Sequence, residues 1–235
     1  MNVQIFSLLD ELLRSPRAIA ERVRRREDLR PLVMAALLAL VLGAGVFGAV
    51  LGSARGGAQL GYSALKLPLA VLLTLCLCVP AFAAIARALG RGIDLGGVVG
   101  LSLAAAGRAA LVLLAFAPAV WFALDRGIGY HASVLLSALC YGVAGLSALR
   151  VMQSGLGRDV RGVGILVCCA AVLLPTGAQS AWMMRPFIGR PSQAHVPFLR
   201  AKESSFADAV YRSAFSSVGI YAESRGRVFE RETGE

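Results

Sequence analysis

From Pro31 to Met184 the chain runs in long apolar blocks with few charges, separated by short polar breaks. An α-helix rises about 1.5 Å per residue, so roughly 20 apolar residues cross the ~30 Å hydrocarbon core of a bilayer. Five blocks reach that length, over residues 32–53, 66–89, 95–124, 132–152 and 160–184. Strands of a membrane barrel alternate apolar and polar positions over about 10 residues, whereas these blocks are continuous. The pattern predicts an all-α fold: a polytopic integral membrane helix bundle with five transmembrane helices.

A different periodicity precedes the first block. Ile5, Leu8, Leu9, Leu12 and Leu13 fall at i, i+3, i+4, i+7 and i+8, with Asp10, Glu11 and Arg14 on the other face, which predicts an amphipathic helix. Ser15-Pro16 is a helix-start signal, because Ser can cap free N–H groups and Pro fits the first turn. A second helix from residue 16 to about 27 would turn Ile19 and Val23 inward and Arg22, Arg25 and Arg26 outward. Two such helices lie on one membrane face, either as a cover for the bundle's end or as a docking surface. The chain thus divides into an amphipathic cytoplasmic segment (1–30), a five-span bundle (31–184) and an outer-side tail (185–235).

Arginine placement gives the orientation. Seven arginines precede the first span, and the loops after spans two and four add Arg87, Arg91, Arg150, Arg158 and Arg161. The opposite loops hold only Arg55, Lys66 at a helix end, and Arg126. Cytoplasmic loops carry the excess of Lys and Arg, so the N-terminus is expected in the cytoplasm and the C-terminus outside. The first block exceeds the 7–15 residues of a signal-peptide core and reads as a retained signal anchor. In the tail, Arg185-Pro186-Phe187 breaks the fifth helix beside the interfacial Trp182, and residues 205–208 form a capping-box pattern before a mildly amphipathic stretch.

Composition agrees with this division. The chain is 57% hydrophobic and 16% charged, against about 25% charged in a soluble domain, which excludes a soluble globular enzyme. Its net charge of +10 needs no nucleic acid as a partner. Arginines beside spans, Arg24, Arg25 and Arg26 among them, set topology and touch anionic lipid headgroups.

Candidate chemistry is sparse. No nucleophile elbow, zinc-helix motif, phosphate-binding Gly-rich loop or dinucleotide fingerprint occurs, and the span interiors carry no acid for a proton relay. All five cysteines (Cys76, Cys78, Cys140, Cys168, Cys169) lie in predicted spans. Neighbours at i+1 or i+2 on a helix diverge by about 100–200°, so neither close pair converges on a metal; no enzyme activity, metal or cofactor is expected.

Arg108 stands out. It lies mid-way along span three, where a charge costs a few kcal/mol unless it meets a partner or a cavity. Gln179, carbonyls freed at helix breaks, water, a lipid phosphate and an acid on another subunit are the candidates, or span three is broken at Arg108 and brings it near water. Pro80, Pro118 and Pro175 interrupt spans two, three and five and free carbonyls there. Gly48 and Gly52 give span one a close-packing face, for internal packing or for dimerisation.

The run Leu12-Leu13-Arg14-Ser15-Pro16-Arg17-Ala18-Ile19 resembles the segment preceding the spans in prokaryotic membrane proteins of the Yip (Ypt-interacting protein) type. Leu65-Lys66-Leu67-Pro68-Leu69 and Trp182-x-x-Arg185-Pro186-Phe187 are similar to segments of bacterial proteins of the same shape. The resemblance implies a five-helix, non-enzymatic protein of a bacterial inner membrane that works through partners or lipids. The extended tail departs from the simplest Yip pattern. The expected function is a subunit or assembly factor of a membrane complex, or of a homo-oligomer, with Arg108, Gln179, Arg24, Arg25, Arg26, Trp182 and Arg185 as contacts to partner or lipid. The alternative is a small channel or anion-conducting transporter with Arg108 in the path.

Overall fold

The computed structural model describes residues 2–184, which form seven helices and no strand. They are α1 (Asn2–Arg14), α2 (Pro16–Arg25), α3 (Leu29–Ser53), α4 (Ala58–Ala88), α5 (Leu95–Asp125), α6 (Tyr130–Leu156) and α7 (Val160–Met184). The last five are long and apolar enough to cross a membrane, and the chain is a multi-pass helical membrane protein. Residues 185–235, with the predicted tail elements and Arg185, lie outside the described residues.

Two boundaries differ from the hydropathy reading. Helix α5 is one continuous helix of 31 residues, so span three is not broken at Arg108. Helix α4 begins at Ala58, well before the apolar block that starts at Lys66. Its first turns carry a polar stripe of Gln59, Ser63 and Lys66, which lowers window hydropathy without breaking the helix. Lys66 therefore sits inside the helix and is fully buried.

Helix α3 packs most extensively against α5 and then α4; α6 lies on α5, α7 on α4, and α6 meets α7. Small residues set the α3 contacts. A Cβ at Gly48 would fall 2.3 Å from the Ser63 carbonyl oxygen on α4, and one at Gly43 would fall 2.4 Å from the Ala110 oxygen on α5. Backbones this close gain the dispersion contacts that hold membrane helices together in the absence of a hydrophobic drive. Phe47, buried between these contacts, meets the Tyr141 ring of α6 edge-on at 5.6 Å.

At the end of the bundle where α3, α5 and α7 begin, α1 and α2 dock against α3, α5 and α6. We call it the basic end. Leu8, Leu12, Ile19 and Val23 are buried there with Leu32, Val98 and Leu101, each contributing roughly 1.5–3 kcal/mol if its surface otherwise met water. Arg22, expected to face outward, instead bonds Glu11 of α1 at 2.9 Å and approaches Asp28 at 3.5 Å, tying the two short helices together. Helix α2 ends at Arg25 and is capped by Arg26, whose left-handed φ of 56° lets its N–H close back onto the Arg22 and Val23 carbonyls. A second left-handed residue, Asp28 at φ 49°, completes the corner into α3.

Candidate functional site

The site begins with a proline. In a helix the Leu12 carbonyl would accept from the N–H of residue 16, but Pro16 has none. Helix α1 stops at Arg14, Ser15 leaves the helical conformation at φ −129° and ψ 70°, and α2 starts at Pro16. Ser15 occupies the N-cap position, yet its side chain makes no capping bond, unlike the sequence expectation. Leu12 itself is buried, so its carbonyl needs a donor away from water.

Arg108 supplies one. Its Nη1 donates to the Leu12 oxygen at 2.8 Å, joining the middle of α5 to the end of α1. This is a freed carbonyl, though one freed in the N-terminal segment rather than in a span. Arg108 Nε is buried with no hydrogen-bond partner, and Arg150 of α6 lies within electrostatic reach. A guanidinium thus sits at the junction of α1, α5 and α6 without a carboxylate among the described residues.

The other predicted residues are dispersed. Arg24 and Arg25 both pair with Glu21, Arg25 at 2.6 Å, and Arg26 reaches Asp94 at 3.2 Å. Gln179 and the half-buried Trp182 lie toward the far end of α7; Arg108 bonds α1, not Gln179. Gly48 and Gly52 pack within the chain, against Ser63 and Gln59 of α4. Cys78, Cys140 and Cys169 are buried and Cys76 and Cys168 exposed. No three His, Cys, Asp or Glu side chains gather among the described residues.

Three features went unread in the sequence. The first is the buried stripe on α4, where Gln59 Nε2 donates to Ser63 Oγ at 3.1 Å and Lys66 Nζ stands 5.9 Å from the Tyr62 ring centroid. The i, i+4, i+7 spacing of residues 59, 63 and 66 was its available signal. The second is an apolar cavity of about 560 Å³ among α4, α5, α6 and α7, lined by residues such as Leu67, Phe82, Ala105, Met152 and Leu173. Ser102 lines it with a buried, unbonded hydroxyl. The third is an open cleft of about 580 Å³ at the basic end, between the α1–α2 junction and the last turns of α6, lined by Arg14, Arg17, Arg150 and Arg158. No local pattern marks these two spaces, because each is made by helices far apart in the chain.

No protein-family model matches the chain, and neither a curated protein nor a solved structure is significantly similar to it. What the residues themselves offer is packing surface, a cationic cleft and an apolar cavity.

Proposed function

We propose that this protein is a non-enzymatic subunit or assembly factor of a bacterial cytoplasmic-membrane complex, with its basic end in the cytoplasm. One observation carries the reading. Over half of the most apolar stretch of α5 is buried within the chain, against 22% for α6 and 17% for α7. On α6, Leu135, Leu139, Gly142 and Leu146 follow one face at helical spacing. The three leucines are 64–69% exposed, and nothing lies within 4 Å of a Cβ built at Gly142. Lipid can cover leucines, but a glycine in such a stripe lets another transmembrane helix approach closely.

Arg108 favours this reading over the channel reading. Its bonded Nη1 points to the Leu12 carbonyl of a docked helix, which is a fastening rather than the wall of an open path. The arginine asymmetry supports the orientation, and the Yip-type resemblance of the Leu12–Ile19 run fits a protein working through partners.

Affinity purification of the tagged full chain from native membranes in mild detergent tests the proposal, with subunit stoichiometry read by mass spectrometry. The expected result is a membrane protein recovered at a fixed ratio and lost when Gly142→Leu fills the α6 stripe. A homo-oligomer with nothing attached, which moves ions in liposomes, would overturn it in favour of the channel.

A further inference from the structure

The cleft at the basic end is built from two parts of the chain far apart in sequence. Arg14 and Arg17 flank the α1–α2 junction, and Arg150 and Arg158 come from the end of α6 and the turn after it, with Ser154 between them. Among the described residues no acidic side chain lines the cleft. Among the described residues Arg14 pairs only with Asp10, at 2.6 Å and with both side chains largely exposed. Arg17, Arg150 and Arg158 have no ion pair among the described residues, and the nearby carboxylate of Asp159 is taken by Arg91. At the same end Arg22, Arg24, Arg25 and Arg26 each hold a carboxylate; Arg30, Arg87 and Arg161 also have no ion pair among the described residues, but they do not line the cleft.

Backbone adds to the same potential. Pro16 and Ser15 open α2 into the cleft, and the Ser15 side chain does not cap it. The Arg17 and Ala18 amides, in the first helical turn, have no intrahelical acceptor, and the positive end of the helix dipole points the same way. Behind them Arg108 adds a further guanidinium near Arg150. Like charges gathered without counter-charge repel, and a multiply charged anion that several guanidiniums can grip in parallel relieves the repulsion.

We propose that this cleft binds a phosphoryl group, gripped by Arg14, Arg17, Arg150 and Arg158 and oriented by the α2 N-terminus; the Ser154 hydroxyl is spent on the Arg150 carbonyl at 2.8 Å. The phosphoryl group has two sources, the headgroup of an anionic phospholipid and a soluble phosphate compound. The wall shared with the apolar cavity suits the lipid source: Arg150 and Gln153 of α6 line the cleft, while their neighbours Leu149 and Met152 line the cavity. The site stands apart from the α6 stripe and from the subunit reading.

The test uses the full-length protein purified in uncharged detergent. Calorimetric titration with inorganic phosphate, at constant ionic strength against chloride, forms one arm. Native mass spectrometry after equilibration with phosphatidylcholine micelles, with or without phosphatidic acid, forms the other. Hydrogen bonds to charged groups are individually strong, so the Arg150→Gln/Arg158→Gln double variant is expected to lose at least about tenfold in affinity. Arg24→Gln/Arg25→Gln, equally basic at the same end but outside the cleft, is expected to change it less than about twofold. Phosphate binding in the first arm supports the site with a soluble source; selective retention of phosphatidic acid supports it with a lipid source. Absence of binding in both arms, or equal losses in the two double variants, would overturn the proposal.

Discussion

Arg108 and Leu12, on helices α5 and α1, are joined by a 2.8 Å hydrogen bond from the guanidinium to a carbonyl that Pro16 leaves without its helical partner. An unpaired carbonyl in the amphipathic segment and an unpaired cation in a span thus satisfy one another. The charge that hydropathy marks as anomalous fastens the N-terminal segment to the bundle.

This pairing predicts coupling between Arg108 and Pro16. Arg108→Met should loosen α1 by about 1.5–3 kcal/mol, the worth of a hydrogen bond to a charged donor. Pro16→Ala restores an N–H that can reach the Leu12 carbonyl, so the same Arg108→Met change should cost about 1 kcal/mol less in that background. Any relief from no longer burying the charge is common to both backgrounds and cancels in the cycle. Hydrogen-exchange protection of the α1 amides reads both legs; equal losses in the two backgrounds would refute the pairing.

The α3–α4 contact gives a second prediction. Gly48→Ala places a methyl carbon 2.3 Å from a backbone oxygen, which only helix separation can relieve. It should destabilise the detergent-solubilised protein by about 1–3 kcal/mol. Gly45→Ala, whose Cβ would meet its nearest neighbour at an ordinary 3.5 Å, should stay within about 0.5 kcal/mol of wild type. Unfolding titrations of the two variants compare them directly, and similar midpoints would count against this helix contact.

Orientation is tested by labelling. Ala54 and Gly92 are both exposed, at opposite ends of α4. In a background without the native cysteines, Ala54→Cys should react with a membrane-impermeant maleimide in intact spheroplasts, and Gly92→Cys only after permeabilisation. The reverse pattern would invert the topology.

The five spans were legible because hydropathy is a sum over about 20 residues and tolerates errors at its edges. The same summation hid Lys66, since a window reads a lysine as the edge of a span. Only the face shared with Gln59 and Ser63 shows that the helix continues through it. Arg108 was conspicuous as a charge, but its partner was not readable. The missing N–H of Pro16 matters only once α1 lies against α5, a contact between residues 96 positions apart. The basic cleft was hidden for the same reason: Arg14 reads as the polar side of an amphipathic helix, and Arg17, Arg150 and Arg158 as a topology signal. Only the fold brings the two pairs to one opening.

The most direct measurement of the proposed role is site-specific photocrosslinking in native membranes. A photoreactive residue replaces Leu139 on the exposed α6 stripe or, as a comparison, Leu42 on the exposed face of α3. A protein partner on α6 predicts a discrete heterologous adduct from position 139 and only lipid adducts from position 42. Lipid adducts alone from both positions, or adducts to a second copy of this chain alone, would contradict it.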